Sequence, residues 1–240
     1  MLHIDISNMP KLNVDLSDIH TLNFIINEPI TKDKKKQIRK IIRELSYDQA
    51  DVTEIWWYGD FDDEFDSIMD YISARFQILC LKTNIIKFDP NRVPLDVELL
   101  SIDISELIED DFERICESSS YISVLELFIP DEQNINNIYL TIEQFATLTN
   151  LFKSLVLINV EIIDFQTSLD VLYGTQCYVE FDFRTNKKCC SFMYMNSLFD
   201  LIKQIEAFSF HGFICDDDVD CQKIFNKIIG LEKNIELLYD

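Results

Sequence analysis

The feature that most constrains the fold of this 240-residue chain is an apolar spacing, apolar-x-x-apolar-x-apolar, that recurs along its length. Alternate side chains of a β-strand point to the same face, so the last two apolar positions of each copy predict a strand with one buried face. Successive copies begin roughly 21 to 33 residues apart, a period typical of repeat architectures. The copies are Ile19, Leu22, Phe24; Val52, Ile55, Trp57; Phe76, Leu79, Leu81; Val97, Leu100, Ile102; Ile122, Leu125, Leu127; Phe152, Leu155, Leu157; Tyr178, Phe181, Phe183; and Ile205, Phe208, Phe210.

Acidic segments that lead into amphipathic helices lie between several of these strands. They read DFDDEFDSIMDYI (60–72), IEDDFERICESS (108–119), TIEQFATLTNLF (141–152) and CDDDVDCQKIFNKII (215–229). Carboxylates at a helix start favour the helix because they offset its unpaired N–H groups and its positive dipole end. Each unit is therefore predicted to be a strand, a turn and an acid-capped helix. One such unit cannot bury its apolar face alone, whereas a stack of units can.

Two other folds fit part of this pattern. Strands that alternate with helices also suit an ordinary α/β or α+β domain. No Gly-rich loop follows any strand, however, and doubly wound folds use such a loop where they bind nucleotides. A sliding-clamp-like acidic ring would need its helices and hairpin strands in a different order.

The repeating units resemble the leucine-rich repeat family. The family's strand signature, L-x-x-L-x-L-x-x-N, is matched best by FQILCLKTN, residues 76–84. The length of the units and their helices are most similar to the ribonuclease-inhibitor and Ran-GTPase-activator type. The resemblance implies an α/β solenoid with parallel strands on its concave face and helices on its convex face. The final Asn recurs as Asn27 and Asn186, has Asp60 and Ser105 as substitutes, and is missing at Pro130, Val160 and Phe213, where the backbone carbonyls need another partner.

The repeats divide the chain simply. Residues 1–18 are predicted to be an amino-terminal cap, and residues 19–240 about eight strand-helix repeats in a single domain. The closing segment NIELLYD, residues 234–240, fits the start of a further strand. A solenoid needs its ends covered, so we expect a partner or a second copy to shield this end if no capping helix does.

The strand register predicts which side chains are available to a partner. Trp57 occupies an inward position, so Trp56 and Tyr58 are expected on the concave face, where exposed aromatic side chains are typical of binding surfaces. The alternative is that another segment covers Trp56, or that the register slips by one residue and exchanges the two faces. The same register adds these predicted partner-binding residues: Lys82, Asp103, Glu126, Phe128, Val156, Ile158, Asp182, Arg184 and His211.

The charge of the chain restricts the class of partner. It has 43 acidic and 21 basic residues, hence a formal net charge of −22, which opposes contact with nucleic acid or anionic lipid and favours a basic protein. The one basic cluster is the segment 31–46, whose apolar stripe predicts a helix. It either contacts RNA or forms a solvated helix surface balanced by the acidic run that follows it. The RNA-contact candidates are Lys34, Lys35, Lys36, Arg39 and Lys40.

No cofactor, metal or catalytic centre is predicted. The chain has no P-loop, GxGxxG, HExxH or C-x-x-C motif, and its three histidines lie beside no recognisable nucleophile motif. The acidic runs 60–66 and 216–220 lack the Gly and Glu of an EF-hand loop, so they are interpreted as helix caps and surface charge. Seven cysteines without an amino-terminal signal pattern indicate reduced thiols and a cytoplasmic protein, with a nuclear one as the alternative.

These observations lead to one functional hypothesis and two alternatives. The hypothesis is a non-catalytic module that binds a basic protein, or a protein-RNA assembly such as a ribosome, through its concave face and an acidic rim. One alternative is a GTPase activator or other enzyme-like regulator, for which Arg184 and Asn186 are the nameable loop residues. The other is a structural subunit that is stable only inside a larger complex.

Overall fold

A parallel β-sheet dominates the computed structural model of the protein. The structure describes residues 2–5, 21–26, 31–44, 51–130, 138–164, 172, 175–183, 192–214, 223, 226–231 and 234–239. The strands are β1 (Leu2–Asp5), β2 (Thr21–Ile26), β3 (Asp51–Trp57), β4 (Ile78–Asn84), β5 (Leu99–Asp103), β6 (Val124–Phe128), β7 (Tyr139–Thr141), β8 (Ser154–Ile158), β9 (Glu161–Ile163), β10 (Tyr178–Asp182), β11 (Ala207–Ile214) and β12 (Asn234–Tyr239). The helices are α1 (Lys32–Glu44), α2 (Asp63–Ser73), α3 (Glu109–Glu117), α4 (Ile142–Leu151) and α5 (Phe192–Ile202).

The order of the strands in the sheet follows their order in the chain. Ten strands form the order β1-β2-β3-β4-β5-β6-β8-β10-β11-β12, and all neighbouring pairs are parallel. The short strands β7 and β9 pair with each other beside it. A doubly wound domain would reverse its strand order at a switch point, and this sheet does not. The arrangement is the α/β solenoid that the repeating pattern predicts, because each unit pairs only with its neighbours.

The core lies between the sheet and the helices. In the described parts of strands β3 to β11 most predicted apolar positions are buried, for example Leu100 and Ile102 or Leu125 and Leu127, all at 0% exposure. They form one cluster with the apolar faces of the helices. The pattern departs from the prediction at Leu79 and Tyr178, which are half-buried, whereas their neighbours Ile78 and Val179 are fully buried. These buried side chains contribute most of the stability of the fold, because removing apolar area from water is the main favourable term in folding.

Trp57 anchors this core at the third strand. Its side chain is 2% exposed and meets the ring of Phe65 on α2 edge to face, with 4.9 Å between the centroids. Its Nε1 donates a hydrogen bond to the Asp60 carbonyl at 3.1 Å, so the buried indole is satisfied. The chain passes close to this ring at Gly59, where a Cβ atom would lie 3.3 Å from Nε1. A glycine at this position therefore lets the turn close tightly over the indole.

Side-chain caps start the helices as the acidic segments predict. The Asp62 carboxylate accepts hydrogen bonds from the backbone N–H groups of Glu64 and Phe65, both at 3.0 Å, at the start of α2. At α4, the Thr141 hydroxyl accepts from the Gln144 N–H at 3.2 Å, and the Gln144 side chain accepts from the Thr141 N–H at 2.9 Å. These bonds satisfy donors that a helix leaves unpaired at its first turn. The run 60–66 thus caps a helix, whereas the run 216–220 lies outside the described residues.

Asn159 takes the role of an asparagine that this chain lacks at the last position of the repeat signature. In two repeats that position is occupied by Pro130 and Val160 instead. In the structure Asn159, one residue before the expected position, donates from Nδ2 to the Ile129 carbonyl at 3.1 Å and is 6% exposed. Its φ of 59° is a left-handed conformation that asparagine tolerates better than most residues. The buried carbonyl is therefore satisfied by a displaced side chain.

The ends of the sheet add two facts. The strand β1, within the segment predicted to be a cap, pairs with β2, and β12 pairs with β11. The division of the chain at residue 18 stays a prediction. Of the helices in the described ranges, none combines the length and the apolar character that crossing a bilayer requires.

Candidate partner-binding face

The side of the sheet opposite the helices, called here the concave face, carries the predicted partner-binding residues. Trp56 is half-buried on this face, while Trp57 is buried in the core, as the strand register predicts. Tyr58 and Lys82 are also half-buried. The described residues of the concave face in β3 to β11 include Glu54, Trp56, Tyr58, Cys80, Lys82, Ser101, Asp103, Glu126, Phe128, Val156, Ile158, Glu180, Asp182, Ser209 and His211.

The parallel register arranges these side chains in two adjacent rows. The first row is Trp56, Lys82, Ser101, Glu126, Val156, Glu180 and Ser209. The second row is Asn84, Asp103, Phe128, Ile158, Asp182 and His211. Neighbouring strands are about 4.8 Å apart, so each row presents a line of side chains across the sheet. Arg184, which was predicted to join this face, lies outside the described residues.

One end of the face is an aromatic cluster around a lysine. The Lys82 Nζ atom lies 5.0 Å from the centroid of the Trp56 ring and 4.0 Å from that of Phe128. Both distances are within the range of cation-π attraction. The Trp56 Nε1 donates to the Glu54 carboxylate at 2.7 Å, which fixes the indole on the face. Lys82, Trp56 and Phe128 are called the Lys82 cluster below.

Carboxylates surround this cluster, and their field is visible in two neighbouring groups. Burial, then Glu126 and Glu54, raise the pKa of the Cys80 thiol from its ordinary value of 9.0 to about 12, although Lys82 lowers it. Burial, then Asp103 and Glu54, raise the pKa of the Tyr58 hydroxyl. Each carboxylate disfavours a second negative charge beside it. Carboxylates therefore lie close enough to Cys80 and Tyr58 to add to the effect of burial on both pKa values.

The carboxylates are held by neighbouring hydroxyls and the backbone. The buried Ser101 hydroxyl donates to Glu126 at 2.5 Å. The Asp103 carboxylate accepts from both the backbone N–H and the hydroxyl of Ser105, at 2.9 and 2.5 Å. Hydrogen bonds of this kind orient a charged group. The negative groups are thus fixed on a rigid sheet.

The other end of the described face is polar. The Nε2 atom of His211 lies 2.9 Å from the Ser209 hydroxyl and 3.5 Å from the Glu180 carboxylate. Asp182 is 8% exposed on the neighbouring strand. Between the two ends, Val156 and Ile158 are half-buried aliphatic residues. The face therefore changes from aromatic to aliphatic to polar along the solenoid.

The basic helix α1 packs against acidic α2 rather than standing apart. Lys35 forms an ion pair with Glu64, and the Arg39 guanidinium donates to the Ser67 hydroxyl at 3.2 Å. Arg39 also lies 5.5 Å from the centroid of the Tyr71 ring. These contacts match the interpretation of α1 as a charge-balanced helix surface. The contact of α1 with RNA stays a prediction.

Sequence reasoning did not single out two carboxylates of the face. Glu54 and Glu180 each precede a predicted face residue, Trp56 and Asp182, by two positions in the same strand. The alternation of side chains in a strand was the signal that could have identified them. No group of three or more His, Cys, Asp or Glu side chains that could hold a metal occurs in the part of the chain that the structure describes.

Comparison with known proteins identifies the fold. No protein-family model matches the chain, and no curated protein matches its sequence. Among solved structures, it is similar to the leucine-rich repeat-containing protein LegL7 from Legionella pneumophila, with a TM-score of 0.55 and 12% identity over 88% of this chain and 72% of that one. At such low identity the similarity concerns the fold alone. Together with the ten parallel strands, it confirms that this chain has a divergent leucine-rich-repeat fold.

Proposed function

We propose that the protein is a non-catalytic interaction module whose concave face binds a basic segment of a protein partner. The observation that carries the proposal is the charge of the concave face. Among the described residues of β3 to β11 that lie on this face, there are five carboxylates and one lysine, Lys82. The carboxylates are Glu54, Asp103, Glu126, Glu180 and Asp182. Such a surface attracts cationic side chains and repels nucleic acid and acidic proteins.

The shape of the face supports an extended partner. Both rows of side chains cross strands β4 to β11, so a peptide laid along them would meet several carboxylates in turn. Trp56 and Tyr58 supply the aromatic surface on which binding energy concentrates in many interfaces. The aliphatic side chains of Val156 and Ile158 offer the stem of a bound lysine or arginine an apolar contact.

An acidic rim extends the same field beyond the sheet. The starts of α2 and α3 carry Asp62, Asp63, Glu109 and Asp110, all exposed. A basic protein larger than a peptide would approach this rim as well as the concave face. A ribosomal protein is a partner of this chemistry, and RNA next to it would meet α1.

The proposal is tested by titration with a fluorescently labelled hepta-arginine peptide, followed by anisotropy at low and moderate salt. The double variant Glu54→Gln/Glu126→Gln removes two charges from the face and keeps the shape of both side chains. We expect it to bind about tenfold more weakly than wild type, because close charge pairs dominate association at low salt. Replacing Trp56 and Tyr58 together by alanine is expected to weaken binding by a similar factor.

The matched control is Glu113→Gln/Glu117→Gln, which removes two charges from exposed residues of α3 that lie outside this rim. We expect this variant to change the affinity by less than about twofold. Equal losses in the two charge variants would show that net charge alone attracts the peptide. That result would contradict a binding site on the concave face.

A further inference from the structure

The Lys82 cluster already holds a cation of the kind that the proposed partner would bring. The ammonium group of Lys82 lies over two rings, at 5.0 Å from the Trp56 centroid and 4.0 Å from the Phe128 centroid. Phe128 belongs to a strand two places away from β4, so the lysine reaches across β5 to meet it. Directly opposite Lys82 on β5 is the small residue Ser101, which leaves the path clear. The side chain thus lies along the face instead of extending into solvent.

The charges around this ammonium exceed it. Glu54 and Glu126 both act on Cys80, which neighbours Lys82 in the same strand, and Asp103 acts on Tyr58. Three carboxylates and one ammonium leave two negative charges in this part of the face. Cations bind over aromatic rings most strongly where carboxylates and restricted solvent reinforce the ring quadrupole. The chemistry of the slot between Trp56 and Phe128 therefore suits lysine and arginine side chains.

We infer that Lys82 is a placeholder, and that a lysine or arginine side chain of the partner displaces it from the slot between Trp56 and Phe128. This inference rests on the proposed function and adds the point at which the partner is anchored. An internal cation that occupies the slot keeps the aromatic rings covered when no partner is bound. It also competes with the partner, so the affinity of the wild type is lower than that of an empty slot.

Two variants of Lys82 separate occupancy of the slot from charge. Both Lys82→Ala and Lys82→Met remove the positive charge, but methionine still fills the slot with an unbranched side chain of similar length. The hepta-arginine peptide is titrated against both variants and wild type. We expect Lys82→Ala to bind about tenfold more tightly than wild type, a factor within the range of desolvated cation-π contacts. We expect Lys82→Met to gain less than about threefold.

Lys203→Ala is the control for net charge, because Lys203 also lies over a ring, at 4.8 Å from the centroid of Phe199 on helix α5, but directly follows that helix and is not part of the concave face. We expect it to leave the affinity of the peptide unchanged. Adding Trp56→Ala to Lys82→Ala should abolish the gain, since one wall of the slot is then missing. Bound peptide should also change the fluorescence of Trp56 more in Lys82→Ala than in wild type.

Each outcome separates the inference from the proposed function. Equal gains for Lys82→Ala and Lys82→Met would show that charge alone acts and would overturn the placeholder. Weaker binding by Lys82→Ala would overturn it too, because Lys82 would then contribute to binding. In both cases the loss in Glu54→Gln/Glu126→Gln would still support the concave-face site. If that double variant binds as wild type does, the proposed function itself fails.

Discussion

The helical side and the concave face of this protein use their charges differently. On the helical side, basic residues pair with carboxylates of the neighbouring repeat. Lys35 of α1 pairs with Glu64 of α2, and Arg92 lies 2.7 Å from Asp66. On the concave face, the described strands carry five carboxylates and one lysine, and three of the carboxylates lie at the end of the face that holds this lysine. The same acidic composition therefore joins repeats on one surface and leaves an excess of negative charge on the other.

This difference teaches how to interpret a chain with a net charge of −22. Net charge alone predicts repulsion of nucleic acid and good solvation, but not a binding site. The binding site can be identified only after each acidic residue has been assigned to its ion-pair partner. Ion pairs between residues 26 to 29 positions apart connect adjacent repeats and offset part of the negative charge of the helical side. The five carboxylates of the concave face share a single lysine, Lys82, among the described strand residues of that face.

The largest effect is expected where the helical side supports the sheet. Phe65 is fully buried on α2 and packs against Trp57 and Phe61, with centroids 4.9 and 4.2 Å away. Phe65→Ala should lower the free energy of unfolding by about 3–5 kcal/mol, because it leaves a cavity in the core. Trp56→Ala changes the side of β3 that faces away from Trp57 and the helices, and should cost less than about 1 kcal/mol. Urea denaturation followed by circular dichroism measures both.

Phe65→Ala and Trp56→Ala are expected to affect different properties, stability in the first case and peptide affinity in the second. At a urea concentration of zero, the folded fraction of Phe65→Ala should bind hepta-arginine with the affinity of wild type. Trp56→Ala should keep most of its stability and lose affinity. A large loss of stability in Trp56→Ala would mean that the concave face is structural.

Much of the fold could be predicted from the sequence because its cause is local. The two-residue alternation of a strand decides that Trp57 is buried and Trp56 is on the concave face. The caps of the helices follow from residues within one turn, as at Asp62. The solenoid follows from the repetition of one unit. Each of these requires only nearby residues.

The remaining features depend on residues far apart in the chain. The Lys82 cluster joins three strands, and its geometry depends on which way a flexible lysine leans across Ser101. The hydrogen bond from Asn159 to the Ile129 carbonyl requires a left-handed residue that the repeat signature does not contain. Pairwise contacts over such separations are fixed by side-chain packing in the assembled sheet, which periodicity does not report.

The second largest effect is the pH dependence of stability that Cys80 on the concave face is expected to cause. Burial, with Glu126 and Glu54, raises the pKa of Cys80 from 9.0 to about 12. Below pH 9 the folded and unfolded states both hold this proton, so the stability is fully present. Above pH 9 the unfolded state releases it first, and stability falls by up to roughly 1.4 kcal/mol per pH unit. Chemical denaturation of wild type and Cys80→Ala from pH 8 to 10.5 measures the difference in slope.

The control for this experiment is Glu54→Gln/Glu126→Gln, which removes the carboxylate part of the shift and leaves the burial. Its slope just above pH 9 should equal that of wild type, but with the titration extended to pH 12 its stability should stop falling at a lower pH, because the folded variant releases the thiol proton earlier. A decline that stops at the same pH in both proteins would show that burial alone protects the thiol. The negative field of the concave face would then be weaker than the pairing of charges suggests.

The smallest effect concerns the ion pairs of the helical side. Arg92 lies within 2.7 Å of Asp66, 3.4 Å of Asp63 and 3.7 Å of Asp89, and thus joins α2 to the next repeat. Arg92→Met should lower the free energy of unfolding by about 0.5–1 kcal/mol, because the network is only partly shielded from solvent and methionine keeps the apolar stem. The control, Lys36→Met, removes a lysine that is 81% exposed and 3.9 Å from Asp33, and should change stability by less than about 0.3 kcal/mol.

Neither variant should weaken hepta-arginine binding, since both remove positive charge from the helical side. A loss of affinity in Arg92→Met that equals its loss of stability would show that the two surfaces are coupled, and that the helical pairs hold the concave carboxylates in place.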